Sequence, residues 1–405
     1  MFKKLIAKPI KLSEVMELDD MHNDGVICSS NHLWDEKGLK AEGESGLPVK
    51  FRIINNDALS FSASGTFTKQ QCHNAFYKIK SVNPQVKQIY VIDLIKETHG
   101  FIKYGENAVP FTIRSPSNKV NYKIPDHLVE DDERRIISKL NVKLTQDVKL
   151  ISRFSTKEGN IDEIYQTIQI RNGNSFKSEK EIIKTITSED VIFKYIRLPS
   201  IDHQPISSHT IIDLVYFVQN QFNPETDWLH IHCHGGKGRS TSISLIFDML
   251  QRFENSTLNK ISFEGLIKFQ KDSGGKNLTP KDIISAWKKD NVEMRYNSLE
   301  NVYSLLKKIE EYGLKPIYSV ALELCFFHGK LTPEKIYKAV QKCNTNVSMI
   351  FHSNKDFFAA KLIALHNAQH SLCEANCDWH TEDEDEDDSE ESTLVYNDAL
   401  FIDEM

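Results

Sequence analysis

No run of this sequence approaches the roughly 20 consecutive apolar residues of a membrane-spanning helix. The N-terminus, MFKKLIAKPIKLSEVM, has a basic start but lacks the apolar stretch of a secretory signal, so a soluble chain is expected. Cysteine is scarce and odd in number: seven in 405 residues, at Cys28, Cys72, Cys233, Cys325, Cys343, Cys373 and Cys377. That count excludes a disulfide scaffold and predicts free thiols in a reducing cytosol. There is no dense basic helix, zinc finger or aromatic RNA-binding signature, so nucleic acid is not an expected partner. No internal repeat is visible. Lysine and arginine are absent from 374–405, where 14 residues are acidic, leaving 50 basic against 43 acidic side chains in the rest. A mildly basic body suits a polyanionic ligand better than the whole-chain charge of −7 suggests.

What is present is ordinary globular composition, 40% hydrophobic and 26% charged, with length enough to bury a core. Residues 1–46 are weakly periodic and read as a lead-in segment. Short extended pieces are expected between Val49 and Phe67, then a helix over Thr68–Lys80. QIYVIDL (88–94) and VIFKYIRL (191–198) are β-branched and apolar, the pattern of buried strands. The stretch 105–190 is too long for a loop and predicts a small inserted subdomain, β-rich near Val148–Phe154. SSHTIIDLVYFVQNQF (207–222) carries one apolar helical face, and WLHIH (228–232) is a short central strand. Arg239–Phe253 reads as a helix, and further helices are expected at 280–289, 299–312, 333–341 and 355–370. The acidic run TEDEDEDDSEE cannot bury an apolar face and predicts a disordered tail over 374–405. The layout is therefore a lead-in to 46, one domain over 47–315 with an insertion near 105–190, a helical extension over 316–373, and the tail.

The chemistry concentrates in His232-Cys233-His234-Gly235-Gly236-Lys237-Gly238-Arg239-Ser240. This segment follows a strand, opens a helix, and has glycine at three of five positions between Cys and Arg. Such a turn lets backbone N–H groups ring an anion at a helix N-terminus. The same donors stabilise a thiolate, and the Arg239 fork binds two phosphate oxygens at once. Cys233 is thus the expected nucleophile, giving a phosphocysteine that water hydrolyses, with Ser240 hydrogen-bonding the departing sulfur. Neither step needs a metal or another cofactor. The leaving oxygen needs a proton donor. Asp202, in PSIDHQP just past a strand, is at the strand edge where open α/β sheets bind ligands. Asp213 falls inside a helix and Asp227 at the base of a strand, so both are weaker rivals.

These residues resemble the cysteine phytases, the protein-tyrosine-phosphatase-like inositol phosphatases. The resemblance rests on an ordered set: LPVKFR, SASGTFTKQQ, IYVIDLIKETHGFI, YIRLPSIDHQP and DWLHIHCHGGKGRSTS with IFDML, from about Leu47 to Leu278. It implies an α/β cysteine-phosphatase fold, with a mostly parallel central sheet flanked by helices, a small insertion and a helical C-terminal extension. It also implies Cys233, Arg239 and Asp202 as catalytic residues, His203 beside the acid in substrate contact, and His234, Gly235, Gly236, Lys237, Gly238 and Ser240 as the phosphate-binding loop. The expected activity is metal-independent phosphomonoester hydrolysis on inositol polyphosphates such as phytate. The family's Asp-Leu-Arg reads Asp93-Leu94-Ile95 here, and the next residue, Lys96, would point to the other face of a strand. Lys237 is similar to a cation in the loop of lipid 3-phosphatases. A phosphoinositide or a phosphotyrosine protein therefore stays open as substrate, as does a non-catalytic module that binds a phosphorylated ligand.

Lys276, in SGGKN, is a candidate for a distal phosphate, and His99 for orienting a substrate group or capping the Asp93 loop. His366, His370, Cys373 and Cys377 share a helical face, but four ligands on one straight helix cannot close a tetrahedron, so no metal site is expected. The acidic stretch followed by Leu400, Phe401 and Ile402 resembles the export signals of type IV secreted bacterial effectors. That implies a secretion chaperone or coupling protein at the tail and a host cytoplasm as destination; a merely solubilising tail is the alternative reading.

Overall fold

The computed structural model describes residues 46–55, 60–104, 107–114, 124–143, 147–155, 161–169, 176–186, 188, 190–280, 286–327 and 331–342, together with three short strands within 26–41. The expected helix at 355–370, the His/Cys group and the acidic tail lie outside these residues. By backbone contacts the chain divides into two units, Met1–Glu334 and Lys335–Met405.

Strands β1 (Val26–Ser30), β2 (His32–Asp35) and β3 (Gly38–Ala41) come first, then β4 (Arg52–Asn55) and β5 (Ser60–Ser64). Helix α1 spans Lys69–Val82, one residue past Thr68, whose hydroxyl accepts from Gln71 N while Gln71 answers through its side chain. That reciprocal cap fixes the helix start. Strands β6 (Gln88–Ile95), β7 (His99–Tyr104) and β8 (Asn107–Arg114) lead to α2 (Val129–Lys143). Then come β9 (Asp147–Ser155), β10 (Ile161–Gln169), β11 (Phe176–Lys177) and α3 (Glu179–Lys184). The remainder is β12 (Ile192–Ser200), α4 (Ser208–Asn220), β13 (Asp227–His232), α5 (Gly238–Glu254), α6 (Phe263–Asp272), α7 (Ala286–Glu311), α8 (Tyr318–Phe327) and α9 (Pro333–Lys342).

The central sheet has the order β12-β6-β13-β5-β4, parallel except for the β4–β5 pair. Both faces are covered, which explains the unbroken apolar run of β6. On one face Ile89 and Val91 meet Phe76 and Ile79 of α1 and Ile182 and Ile183 of α3. On the other Tyr90 packs edge-on against Phe217 of α4, and Phe247 of α5 meets Phe61 and Phe222. This is the expected α/β architecture.

The region expected as a small insertion is a second, six-stranded sheet, β10-β9-β1-β8-β7-β11. It begins at His99 and recruits β1 from the lead-in, which pairs with both β8 and β9. The two helices expected at 280–289 and 299–312 are corrected to the single α7: no Pro or Gly lies between Ala286 and Glu311 to stop it. Helix α8 is almost wholly apolar, so periodicity does not reveal it. Among the described residues no helix is long and apolar enough to cross a membrane.

Candidate active site

Strands β6, β12 and β13 run parallel, so the segments after them meet at one sheet edge. The Asp202 segment follows β12, the Glu97 segment follows β6, and the Cys233 loop follows β13, with β6 between the other two. This arrangement joins residues far apart in sequence.

The Cys233 loop is built on its neighbour strand. Cys233 N donates to Ser64 O at 3.4 Å, and Thr66 N donates to His234 O at 3.2 Å. Gly236 has φ +66°, and a Cβ there would lie 2.4 Å from Gly65 N, so only glycine fits. At Gly235 an added Cβ meets nothing within 4 Å. Lys237 is exposed and caps α5; His234 is half-buried, its Nδ1 3.5 Å from Thr112 Oγ1 of the second sheet. Cys233 is buried, and its Sγ donates to Ser240 Oγ at 3.6 Å.

Arg239 is 1% exposed. Its Nη1 is committed to the protein, donating to Glu97 Oε2 (2.7 Å), Ser200 O (2.9 Å) and Leu94 O (3.4 Å). Its Nε makes no hydrogen bond and lies 3.5 Å from Asp202 Oδ1. Burial alone would push the guanidinium toward neutrality, but Glu97, then Asp202 and Cys233, hold its pKa above the ordinary arginine value. A rigidly anchored cation with one edge open is the geometry that receives phosphate oxygens.

Asp202 is a quarter exposed, and His203 N and ring Nε2 approach its two oxygens at 3.1 and 3.4 Å. His203 itself has φ +64° and is exposed. Lys276 is half-buried; its backbone N donates to Thr241 Oγ1 at 2.9 Å, which sets its loop beside the first turn of α5. Asp227 stands at the start of β13, opposite the Cys233 end, and accepts from Asn223 N at 3.0 Å. Asp213 is on the exposed side of α4. Lys96 pairs with Asp126 at 2.7 Å.

Three residues at the site carry no distinguishing local pattern. Glu97 anchors Arg239. Arg52 of β4 is buried, donating to Gly236 O (2.8 Å) and Thr241 Oγ1 (3.3 Å) beneath the loop. Burial pulls its pKa down to about 10, with Cys233 opposing. Arg295 of α7 reaches the Asp202 segment. Both arginines fold in from distant elements, and only Arg52 and Glu97 fall in segments that carry the family resemblance.

Beneath the site lies a buried ionic cluster. His99 Nε2 is 3.0 Å from Asp93 Oδ2, and His99 Nδ1 is 3.1 Å from Glu133 Oε2. Arg197 Nη1 meets Glu133 at 2.8 Å, and His232 Nε2 meets Glu179 Oε1 at 2.8 Å. His99 is thus a structural residue that ties the second sheet to β6. Burial opposes its charged form, yet Asp93 and Glu133 raise its pKa well above the usual imidazole value. Asp93, Glu179 and His232 are donor types within metal-ligand range of one another. Here His99 and Arg197 already counter the carboxylate charge.

The α/β fold is the one that the resemblance to the cysteine phytases implies. Residues 92–251 match the model of the protein-tyrosine-phosphatase-like phytase family, whose description names inositol hexakisphosphate. The chain is 26% identical over 210 residues to an effector protein, hopD2, of Pseudomonas syringae pathovar tomato, covering 52% of this chain and 41% of that one. It is similar in fold to the tandemly repeated PTP-like phytase of Mitsuokella multacida (TM-score 0.50, 22% identity, 65% of this chain and 44% of that one). It is equally similar to the PTP-like myo-inositol phosphatase of that organism in complex with myo-inositol-(1,3,4,5)-tetrakisphosphate (TM-score 0.51, 22% identity, 65% and 44%). The chain therefore spans less than half the length of each of these relatives.

Proposed function

We propose that this chain is a phosphoric monoester hydrolase that removes phosphate from inositol polyphosphates through a phosphocysteine, carried by a domain that includes residues 47–315. The observation that carries the reading is the state of Arg239: Nη1 is bound to three protein oxygens while buried Nε lies 3.5 Å from Asp202 Oδ1 without a hydrogen bond. A purely structural arginine would be expected to satisfy that edge.

In the first step Cys233 Sγ attacks phosphorus, the P–O bond breaks, and Asp202 gives its proton to the leaving oxygen. Backbone N–H groups of His234–Arg239 and the free edge of Arg239 stabilise the equatorial oxygens. In the second step water, deprotonated by Asp202, attacks phosphorus; the S–P bond breaks and Ser240 donates to the departing thiolate. Exposed Lys237 at the cradle and Lys276 on the adjoining loop favour a ligand with more than one phosphate. The inositol phosphate in a fold neighbour's complex supports the same substrate class.

The test is phosphate release in the presence of a chelator from inositol hexakisphosphate, phosphoinositide vesicles and a phosphotyrosine peptide. Release from inositol hexakisphosphate at the highest kcat/KM, abolished in Cys233→Ser with binding retained, is expected. Preference for either other substrate reassigns the substrate; release unaffected by Cys233→Ser overturns the mechanism.

The similarity to an effector favours a second element of the reading, that the enzyme acts in a host cytoplasm after export guided by its acidic C-terminus and a secretion chaperone or coupling protein. Deleting 374–405 is expected to stop export of a reporter fusion and leave hydrolysis intact. Undiminished export would remove the tail from the account.

A further inference from the structure

The segment carrying Asp202 is an irregular turn between β12 and α4, in which the backbone bond from Gln204 N to Ile201 O is long at 3.4 Å and His203 holds the left-handed region. A carboxyl that must sit over a phosphate leaving group to within a fraction of an ångström needs ties from outside. Thr210 Oγ1 of α4 donates to Pro199 O at 3.1 Å, and two further ties come from arginines. Arg239 Nη1 holds Ser200 O at 2.9 Å, two residues before Asp202. Arg295 Nε holds Gln204 O at 2.9 Å, two residues after it.

Arg295 is 3% exposed and comes from α7, outside the phosphate loop. Its guanidinium lies against Gly238, where an added Cβ would sit 2.1 Å from Nη1 and 3.1 Å from Cζ. Its Nη2 is buried without a hydrogen-bond partner. Asp202, Arg239 and Cys233 are its electrostatic neighbours. A buried cation with an unmade hydrogen bond, set beside a second cation, is unfavourable for folding. Its placement against both the acid segment and the start of α5 therefore points to a role in the reaction.

We propose that Arg295 is the positioning residue of the general-acid segment: it fastens Gln204 to the first turn of α5 and so holds the Asp202 carboxyl above the Cys233 loop. This rests on the phosphatase reading and on Asp202 as proton donor. Proton donation matters most when the leaving oxygen is a poor one. The alkoxide of an inositol ring must be protonated as it departs, whereas nitrophenolate leaves without help.

The experiment compares Arg295→Met and Arg295→Lys with wild type on inositol hexakisphosphate and on p-nitrophenyl phosphate, with unfolding midpoints measured alongside. Expected is a loss of about 10- to 100-fold in kcat on the inositol substrate, within the range for general acid catalysis, with KM little changed. On p-nitrophenyl phosphate kcat/KM, which reports only the steps through phosphorylation of Cys233 and not the later hydrolysis in which Asp202 is the base, is expected to stay within about threefold, and adding Arg295→Met to Asp202→Asn is expected to cost little more than Asp202→Asn alone. Arg295→Lys is expected to lose rate as well, because an ammonium on a flexible stem cannot stack on Gly238 and reach Gln204 O in the same fixed geometry. If Arg295→Met unfolds, Arg295→Lys carries the same comparison. Equal losses on the two substrates, full additivity with Asp202→Asn, or a raised KM for the polyphosphate with kcat unchanged would each overturn the proposal, the last by making Arg295 a substrate contact. A wild-type protein that hydrolyses neither substrate contradicts the phosphatase reading itself.

Discussion

Gly236 and Gly235 are neighbours with opposite demands. At Gly236 the chain takes φ +66° and passes so close to β5 that a Cβ would lie 2.7 Å from Ser64 C. Gly236→Ala is expected to lower stability by about 1–3 kcal/mol and to abolish turnover, because either the loop or the end of β5 must move. Gly235→Ala is expected to unfold within about 0.5 kcal/mol of wild type. Urea titration of the pair checks both; equal destabilisation would contradict the geometry. The glycine-rich turn was legible from spacing, and the fold brings Cys233, Asp202 and Arg239, expected from the sequence as site residues, to one sheet edge. Which glycine is obligatory was not legible, since spacing does not encode φ. Arg52 and Arg295 were also hidden: a charged residue in a strand or helix reads as surface until the fold buries it.

At the scale of elements, the strands and helices around the site follow from sequence patterns with a local cause. Strand β6 is apolar on both faces because helices cover both, and α1 starts where its cap dictates. The second sheet is less legible. Its partners are non-local, β1 lying beside β8 and β9, and register between distant strands is set only by tertiary packing. What joins the two sheets is the cluster of Asp93, His99, Glu133, Glu179, Arg197 and His232. Glu133→Ala would remove one of the two carboxylates, Asp93 being the other, that the buried Arg197 and His99 share. A loss of about 3–5 kcal/mol is expected, because removing one member of a buried charge group strands the others. Denaturant unfolding measures it; a loss below about 1 kcal/mol would show the cluster to be hydrated.

For the whole molecule these groups set how stability varies with pH. His99 has a raised pKa in the fold, so its contribution is complete below the unfolded value of about 6.5 and is lost as pH rises through the folded one. Asp93 and Glu133 are lowered despite burial, by His99 and Arg197; their contributions are present above about 4 and vanish as pH falls through the folded values. His230, lowered to about 3 chiefly by burial, is held neutral between Ser62 and Ser64 and adds to the acid-side loss, below about pH 6.5. Stability is therefore expected to peak near neutrality, and His99→Gln is expected to flatten the alkaline limb of a plot of urea midpoint against pH. An alkaline limb unchanged in that variant would contradict the assignment of His99.

The central claim is that Cys233 becomes phosphorylated. The direct measurement is rapid acid quenching of the Asp202→Ala protein during turnover of p-nitrophenyl phosphate, whose leaving group needs no acid, followed by mass spectrometry of its peptides. One added phosphate is expected on the peptide containing Cys233, absent from Cys233→Ser. Phosphate on another side chain, or steady turnover by Cys233→Ser, would contradict it.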